Sequence, residues 1–128
     1  MGDDMKNGRY ESNGTIEYYK DDKLHRDSDL PAVIDSDGYK IWFNNGLRHR
    51  LNAPAVEGPE GDKAYYVNGR LHNENGPALI NKFGKEEWHI EGIKYTEQEF
   101  NARNKLASIK CFGQDRTKEQ ARSKTIER

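Results

Sequence analysis

Four glycines, Gly14, Gly38, Gly61 and Gly84, stand 24, 23 and 23 residues apart, and each opens a copy of one pattern. The copies read GTIEYYKDDKLHRDSDLPAVIDSD, GYKIWFNNGLRHRLNAPAVEGPE, GDKAYYVNGRLHNENGPALINKF and GKEEWHIEGIKYTEQEF. Each passes from its glycine through three residues to a ring pair and then a turn dipeptide, and the first three go on to a histidine and Pro-Ala. The ring pairs are Tyr18/Tyr19, Trp42/Phe43, Tyr65/Tyr66 and Trp88/His89, and the turns are Asp21-Asp22, Asn45-Gly46, Asn68-Gly69 and Glu91-Gly92. His25, His49 and His72 follow the first three turns, and Tyr95 takes the fourth place. Pro31-Ala32, Pro54-Ala55 and Pro77-Ala78 close the first three copies. A repeat this short cannot bury an apolar face alone, so it must stack on its neighbours.

Within a copy, Asn-Gly between β-prone residues predicts a hairpin, because a type I′ turn needs positive φ at both central residues. A second turn is expected at each junction, at Asn13-Gly14, Asp37-Gly38, Glu60-Gly61 and, with a poorer dipeptide, Phe83-Gly84. Between junction and tip runs a strand such as Tyr39 to Asn44. The return leg is antiparallel, and its proline marks where pairing resumes. The expected fold class is mainly β: an antiparallel β meander of about four 23-residue hairpin repeats with a C-terminal α-helix. Alternation puts Tyr18, Trp42, Tyr65 and Trp88 on one face, and Tyr19, Phe43, Tyr66 and His89 on the other. One column is expected to be core and the other wet. Thr96-Glu97-Gln98-Glu99 is a capping box that starts the helix, and Gly113 can stop it. The expected organisation is a lead-in strand over 1–13, the repeat domain over 14–95, the helix over 96–112 and a charged tail over 113–128.

Composition narrows the functional classes. Leu, Ile, Val and Phe make up 22 of 128 residues, under the roughly 20% usual in globular chains. The 21 basic and 22 acidic residues nearly cancel, so the large net charge of a disordered chain is missing. No apolar run approaches the roughly 20 residues of a membrane span, and no membrane partner is expected. Cys111 is the only cysteine, which excludes a disulfide scaffold. The N-terminus lacks the apolar core of a signal peptide, so a cytoplasmic setting is expected. Net charge rises from −5 over 1–37 to +1 over 38–96 and +3 over 97–128. The basic end alternates with acids and amides and has no aromatic after Phe112, so nucleic acid is not the expected partner.

The period and the ring-ring-x-Asn-Gly-x-x-His run resemble MORN repeats, which form extended single-layer β meanders. The fuller WFNNGLRHR…APAV pattern, ending in EWHIEGIKYTEQEF, more closely resembles a variant repeat in bacteriophage and giant-virus proteins. The resemblance covers about residues 14–100. It implies the meander, and its viral flavour implies a host protein as partner. The chain lacks the MORN glycines between the first two rings and after the histidine, so the lipid binding attributed to MORN proteins is not implied.

The repeated histidines invite a metal reading. With two strands per copy, equivalent residues lie about 9–10 Å apart at about 4.8 Å per strand, whereas zinc ligands sit about 2 Å from the ion. No metal or cofactor is expected. No serine lies in a nucleophile elbow, and there is no phosphate-binding glycine loop. The pairs His25/Asp27 and His72/Glu74 are ordinary on a solvated edge, so no catalytic residue is assigned. Arg26, Arg48, Arg50 and Arg70, with His49 and His72, recur along one edge beside the rings Tyr19, Phe43 and Tyr66. A planar, permanently charged guanidinium beside aromatics is suited to grip an acidic protein surface or a phosphate. The opposing reading is that these bases solubilise the edge and discourage strand pairing. The expected function is a non-enzymatic protein-interaction module, in its concrete form a phage protein that binds a host defence protein in the host cytoplasm. The alternative is a sponge for a nucleotide or another anionic small ligand. Two open sheet edges are compatible with a homodimer.

Overall fold

The computed structural model describes the backbone of residues 4–116 and the side chains of residues 4–109. The chain divides into two compact units, Met1–Lys94 and Tyr95–Arg128.

The first unit is organised by its turns. Asn45 and Gly46 take φ of 50° and 87°, and Asn68 and Gly69 take 51° and 85°, the paired left-handed backbone of type I′ hairpins. The lead-in forms β1 (Gly8–Ser12), and the first copy forms β2 (Thr15–Lys20), β3 (Lys23–Leu24) and β4 (Val33–Ile34). The second copy forms β5 (Lys40–Ile41), β6 (Phe43–Asn44), β7 (Leu47–Arg48) and β8 (Val56–Glu57). The third forms β9 (Lys63–Ala64), β10 (Tyr66–Val67), β11 (Arg70–Leu71) and β12 (Leu79–Ile80). The fourth forms β13 (Glu86–Ile90) and β14 (Ile93–Tyr95).

These strands build an antiparallel β meander. Its ten-stranded sheet runs β1-β2-β4-β5-β8-β9-β12-β13-β14, with β3 paired to β2. Each junction adds two strands to this sheet, while the tips β6–β7 and β10–β11 stand as separate two-stranded ribbons. The expected continuous strand from Tyr39 to Asn44 is therefore split at Trp42. The Trp42 N–H donates to the Ala55 carbonyl at 2.7 Å, and the Trp42 carbonyl accepts from the His49 N–H at 3.1 Å. Tyr65 repeats the arrangement with Ala78 at 2.7 Å and His72 at 2.9 Å. Ahead of the first ring the backbone pairs with neighbouring strands; beyond it, the chain pairs with its own tip.

Alanine holds this crossing together. Ala32, Ala55 and Ala78 are 0% exposed. Each accepts a backbone bond from the first ring of its own copy and donates to the next, as in Ala55 N–H to the Ala64 carbonyl at 2.9 Å. A larger side chain would have no space beside such a junction. Trp42, Val33, Ala64, Ile90 and, among the polar residues, His89 at 8% exposure complete the buried set in the sheet unit, and no large side chain is fully buried among the described residues. Neither ring column is simply wet: Tyr19, Phe43 and Tyr66 are half-buried, and so are Tyr18, Tyr65 and Trp88.

The later junction turns differ from the tips. At Gly38 and Gly84 only the glycine has positive φ, at 98° and 86°, as in a type I turn closed by a glycine bulge. The Asn81 side-chain oxygen accepts from the N–H groups of Phe83 at 2.8 Å and Lys85 at 3.0 Å. Phe83 needs no special backbone there, which explains how Phe-Gly substitutes for Asp-Gly.

The second unit contains α1 (Glu97–Arg116). The Glu99 carboxylate accepts from the Thr96 N–H at 2.9 Å, and the Thr96 hydroxyl accepts from the Glu99 N–H at 3.1 Å. This is the reciprocal capping box expected from the sequence. The helix continues past Gly113, and the part of the expected tail after residue 116 lies outside the described residues.

Candidate binding surface

The three histidines share one position and one task. His25 Nδ1 accepts from the Asn45 N–H at 3.0 Å, His49 Nδ1 from Asn68 at 3.0 Å and His72 Nδ1 from Glu91 at 2.9 Å. Each copy thus caps the turn of the next. The second turn N–H is satisfied from the same neighbour: Gly46 donates to the Leu24 carbonyl, Gly69 to Arg48 and Gly92 to Leu71, all at 2.8 Å. With Nδ1 accepting, the ring proton sits on Nε2. His25 Nε2 lies 2.7 Å from the Asp27 carboxylate, and His72 Nε2 lies 3.4 Å from Glu74. The hydrogen bond from His25 holds the Asp27 carboxyl below its ordinary range. Both ring nitrogens of His25 are thus hydrogen-bonded within the fold, and His72 is held through its Nδ1.

Two of the four arginines are also internal. The Arg26 guanidinium carbon sits 3.7 Å from the centre of the Tyr18 ring, and Arg50 sits 3.8 Å from that of Trp42. Each donates to the proline carbonyl that closes its own copy, Arg26 to Pro31 at 3.2 Å and Arg50 to Pro54 at 3.1 Å. Arg50 also grips the first copy through Asp29 at 2.9 and 3.2 Å, and it meets Glu57 at 3.2 Å. The bond from Arg50 holds the Asp29 carboxyl below its ordinary range. Only 15% of the Arg50 side chain is exposed. Tyr19 is likewise engaged, with its hydroxyl donating to Glu17 at 2.9 Å and its ring set edge-on to Tyr10 at 5.5 Å.

Arg48, Phe43 and Tyr66 do come together. Arg48 is the cross-strand partner of Phe43, and its guanidinium carbon lies 5.4 Å from the centre of the Tyr66 ring. Arg48 and Arg70 are exposed. Arg70 lies at the next tip, where a side chain at the fourth-copy turn glycine Gly92 would meet it.

The tips also present residues that the Arg/His pattern did not select. Lys23, Leu47, Arg70 and Ile93 occupy equivalent places, each following the second turn residue. A side chain at Gly46 would meet Lys23 and one at Gly69 would meet Leu47, and with the Gly46 and Gly69 N–H bonds to the preceding copy the successive tips are stacked. Leu47 is 49% exposed and Ile93 63%. The repeat alignment carried this signal, since one column alternates cation and aliphatic through all four copies. Among the described residues no group of three or more His, Cys, Asp or Glu side chains converges as a metal site. No described helix is long and apolar enough to cross a membrane. No family model, curated protein or solved structure matches the chain.

Proposed function

We propose that the chain is a non-enzymatic protein-interaction module built of MORN-like hairpin copies, and that its tips form the contact surface. One observation carries the reading: the stacked column Lys23, Leu47, Arg70 and Ile93 is exposed and alternates positive charge with large aliphatic side chains, and Arg48 is exposed close by. Such a surface suits an acidic protein partner with apolar spots, because aliphatic anchors are desolvated while arginine sets register. The resemblance to bacteriophage repeat proteins suggests a host protein as that partner. The anionic-ligand alternative has less support, because Arg26 and Arg50 spend their guanidinium groups on rings, proline carbonyls and, for Arg50, carboxylates. The terminal strands of the main sheet path, β1 and β14, leave edges for a second copy as a further mode of association.

The test is affinity capture from bacterial lysate with wild-type protein and with the folded double variant R48E/R70E. A stoichiometric partner retained by wild type and lost by the variant is the expected result. Equal capture by both would remove the tip surface from consideration.

A further inference from the structure

Successive copies form clefts at equivalent positions, and the chain lines the first with a guanidinium. The cleft between the first and second copies, about 370 Å³, is lined by Asp29, Trp42, His49 and Arg50. Within it Arg50 stacks on the first ring, bonds the proline carbonyl and reaches the carboxylate of the preceding copy. The cleft between the second and third copies is larger, about 530 Å³, and is lined by Leu51, Asn52, Tyr65, Asn73, Glu74 and others.

The copies differ at the residue that follows the histidine. Asn73 stands where the earlier copies have Arg26 and Arg50. Its side-chain NH2 still donates to the proline carbonyl, here Pro77, at 3.0 Å. It is too short to cover the ring, and among the described residues no cation lies over Tyr65, whereas Tyr18 and Trp42 each carry one. Glu74, which lies 3.4 Å from His72 Nε2, brings a carboxylate whose side chain is 62% exposed, in a place where the second copy has Leu51. Arg50, the arginine that lines this cleft, is already committed to Asp29 and Glu57.

We propose that this cleft binds the guanidinium of an arginine side chain carried by a partner protein, stacked on Tyr65 with its stem along Leu51. The site rests on the interaction reading above and deepens it. A planar cation can stack on a ring face and pair with a carboxylate at once, which suits it better than a compact ammonium or an anion. The chain's own first cleft supplies the geometry.

The ¹⁵N-labelled full chain is titrated with the peptide Ac-Gly-Arg-Gly-NH2, with its citrulline analogue and with inorganic phosphate. Saturable shifts are expected at the amides of Leu51, Asn52 and Asn73 to Gly76, with citrulline about tenfold weaker for want of charge. N73R, which restores the repeat's own arginine, should fill the cleft and lose the peptide. E74Q alters an exposed side chain and should weaken binding about two- to fivefold. No saturable shift at tens of millimolar peptide, equal binding of citrulline, or a response to phosphate instead of arginine would overturn the assignment. If wild type and N73R capture a protein partner equally, the cleft assignment falls and the interaction reading survives. If wild type captures none but takes up the peptide at these amides, the guanidinium site stands and the interaction reading falls.

Discussion

Replacing His49 by alanine tests the rule that each copy caps the next. The substitution removes the Nδ1 acceptor of the Asn68 N–H, a bond of 3.0 Å at a type I′ tip. A hydrogen bond of this kind contributes about 0.5–1.5 kcal/mol net. The half-buried imidazole also loses contact area, which brings the total to roughly 1–2 kcal/mol. For a domain of this size, that lowers the melting temperature by about 4–8 °C per kcal/mol. Urea unfolding gives the magnitude, and amide exchange gives the location: protection should drop at Asn68 and persist at Asn45, which His25 caps. His49→Asn should recover about half the loss, because Asn7 already does this work at the first tip, its side-chain oxygen accepting from the Asp21 N–H at 2.9 Å. Unchanged exchange at Asn68 in the alanine variant would refute the capping rule. A uniform loss at every tip would assign the histidine to general packing instead.

Two further outcomes follow from the same geometry. Ala55→Val should destabilise by about 1–3 kcal/mol, since Ala55 is 0% exposed at the strand crossing; a urea midpoint equal to wild type would show that the crossing has room. Acid should weaken the sheet unit, because Asp27, Asp29 and Glu87 are held below their ordinary range, chiefly by bonds from His25, Arg50 and His89 respectively. Their contribution is whole above the unfolded carboxylate range, near about pH 4, and is lost as pH falls through the lower folded values. Asp29→Asn should flatten that decline in a pH series of urea midpoints, and an identical slope would contradict the Arg50 contact.

The meander was legible because its signals are local. Asn-Gly at fixed spacing fixes the tips, and Thr96 with Glu99 fixes the helix start, without knowledge of any distant contact. The role of each histidine was hidden because its partner is a backbone N–H about 20 residues onward, where the side chain gives no hint. The recurring alanine looked like an adjunct of proline, yet it is the residue on which three strands converge. By spacing alone Arg26 and Arg50 fall on one edge with Arg48 and Arg70. A guanidinium that follows the histidine folds back over the first ring, whereas one placed before the histidine stays at the tip. That distinction depends on the bend at the histidine, which pairwise spacing does not reveal.

The capping rule also gives the array a direction and explains its two irregular ends. The first tip has no preceding histidine, and its second residue, Asp22, takes a φ of 69° where later copies have glycine. The lead-in compensates on both counts. Asn7 supplies the missing acceptor, while Lys6 and Asp22 bond reciprocally, Lys6 N–H to the Asp22 carboxylate at 2.6 Å and Asp22 N–H to the Lys6 carbonyl at 2.9 Å. Lys6 and Asn7 therefore stand at the first tip where Leu24 and His25 stand at the second, a backbone carbonyl and a side-chain acceptor for the two turn N–H groups. After the fourth tip Tyr95 replaces the histidine where Thr96 turns the chain into its helix, and among the described residues no further tip follows to be capped. A side chain that disappears when its recipient disappears is explained by the bond it makes to the next copy, and a metal or a catalytic step is not needed to account for its recurrence.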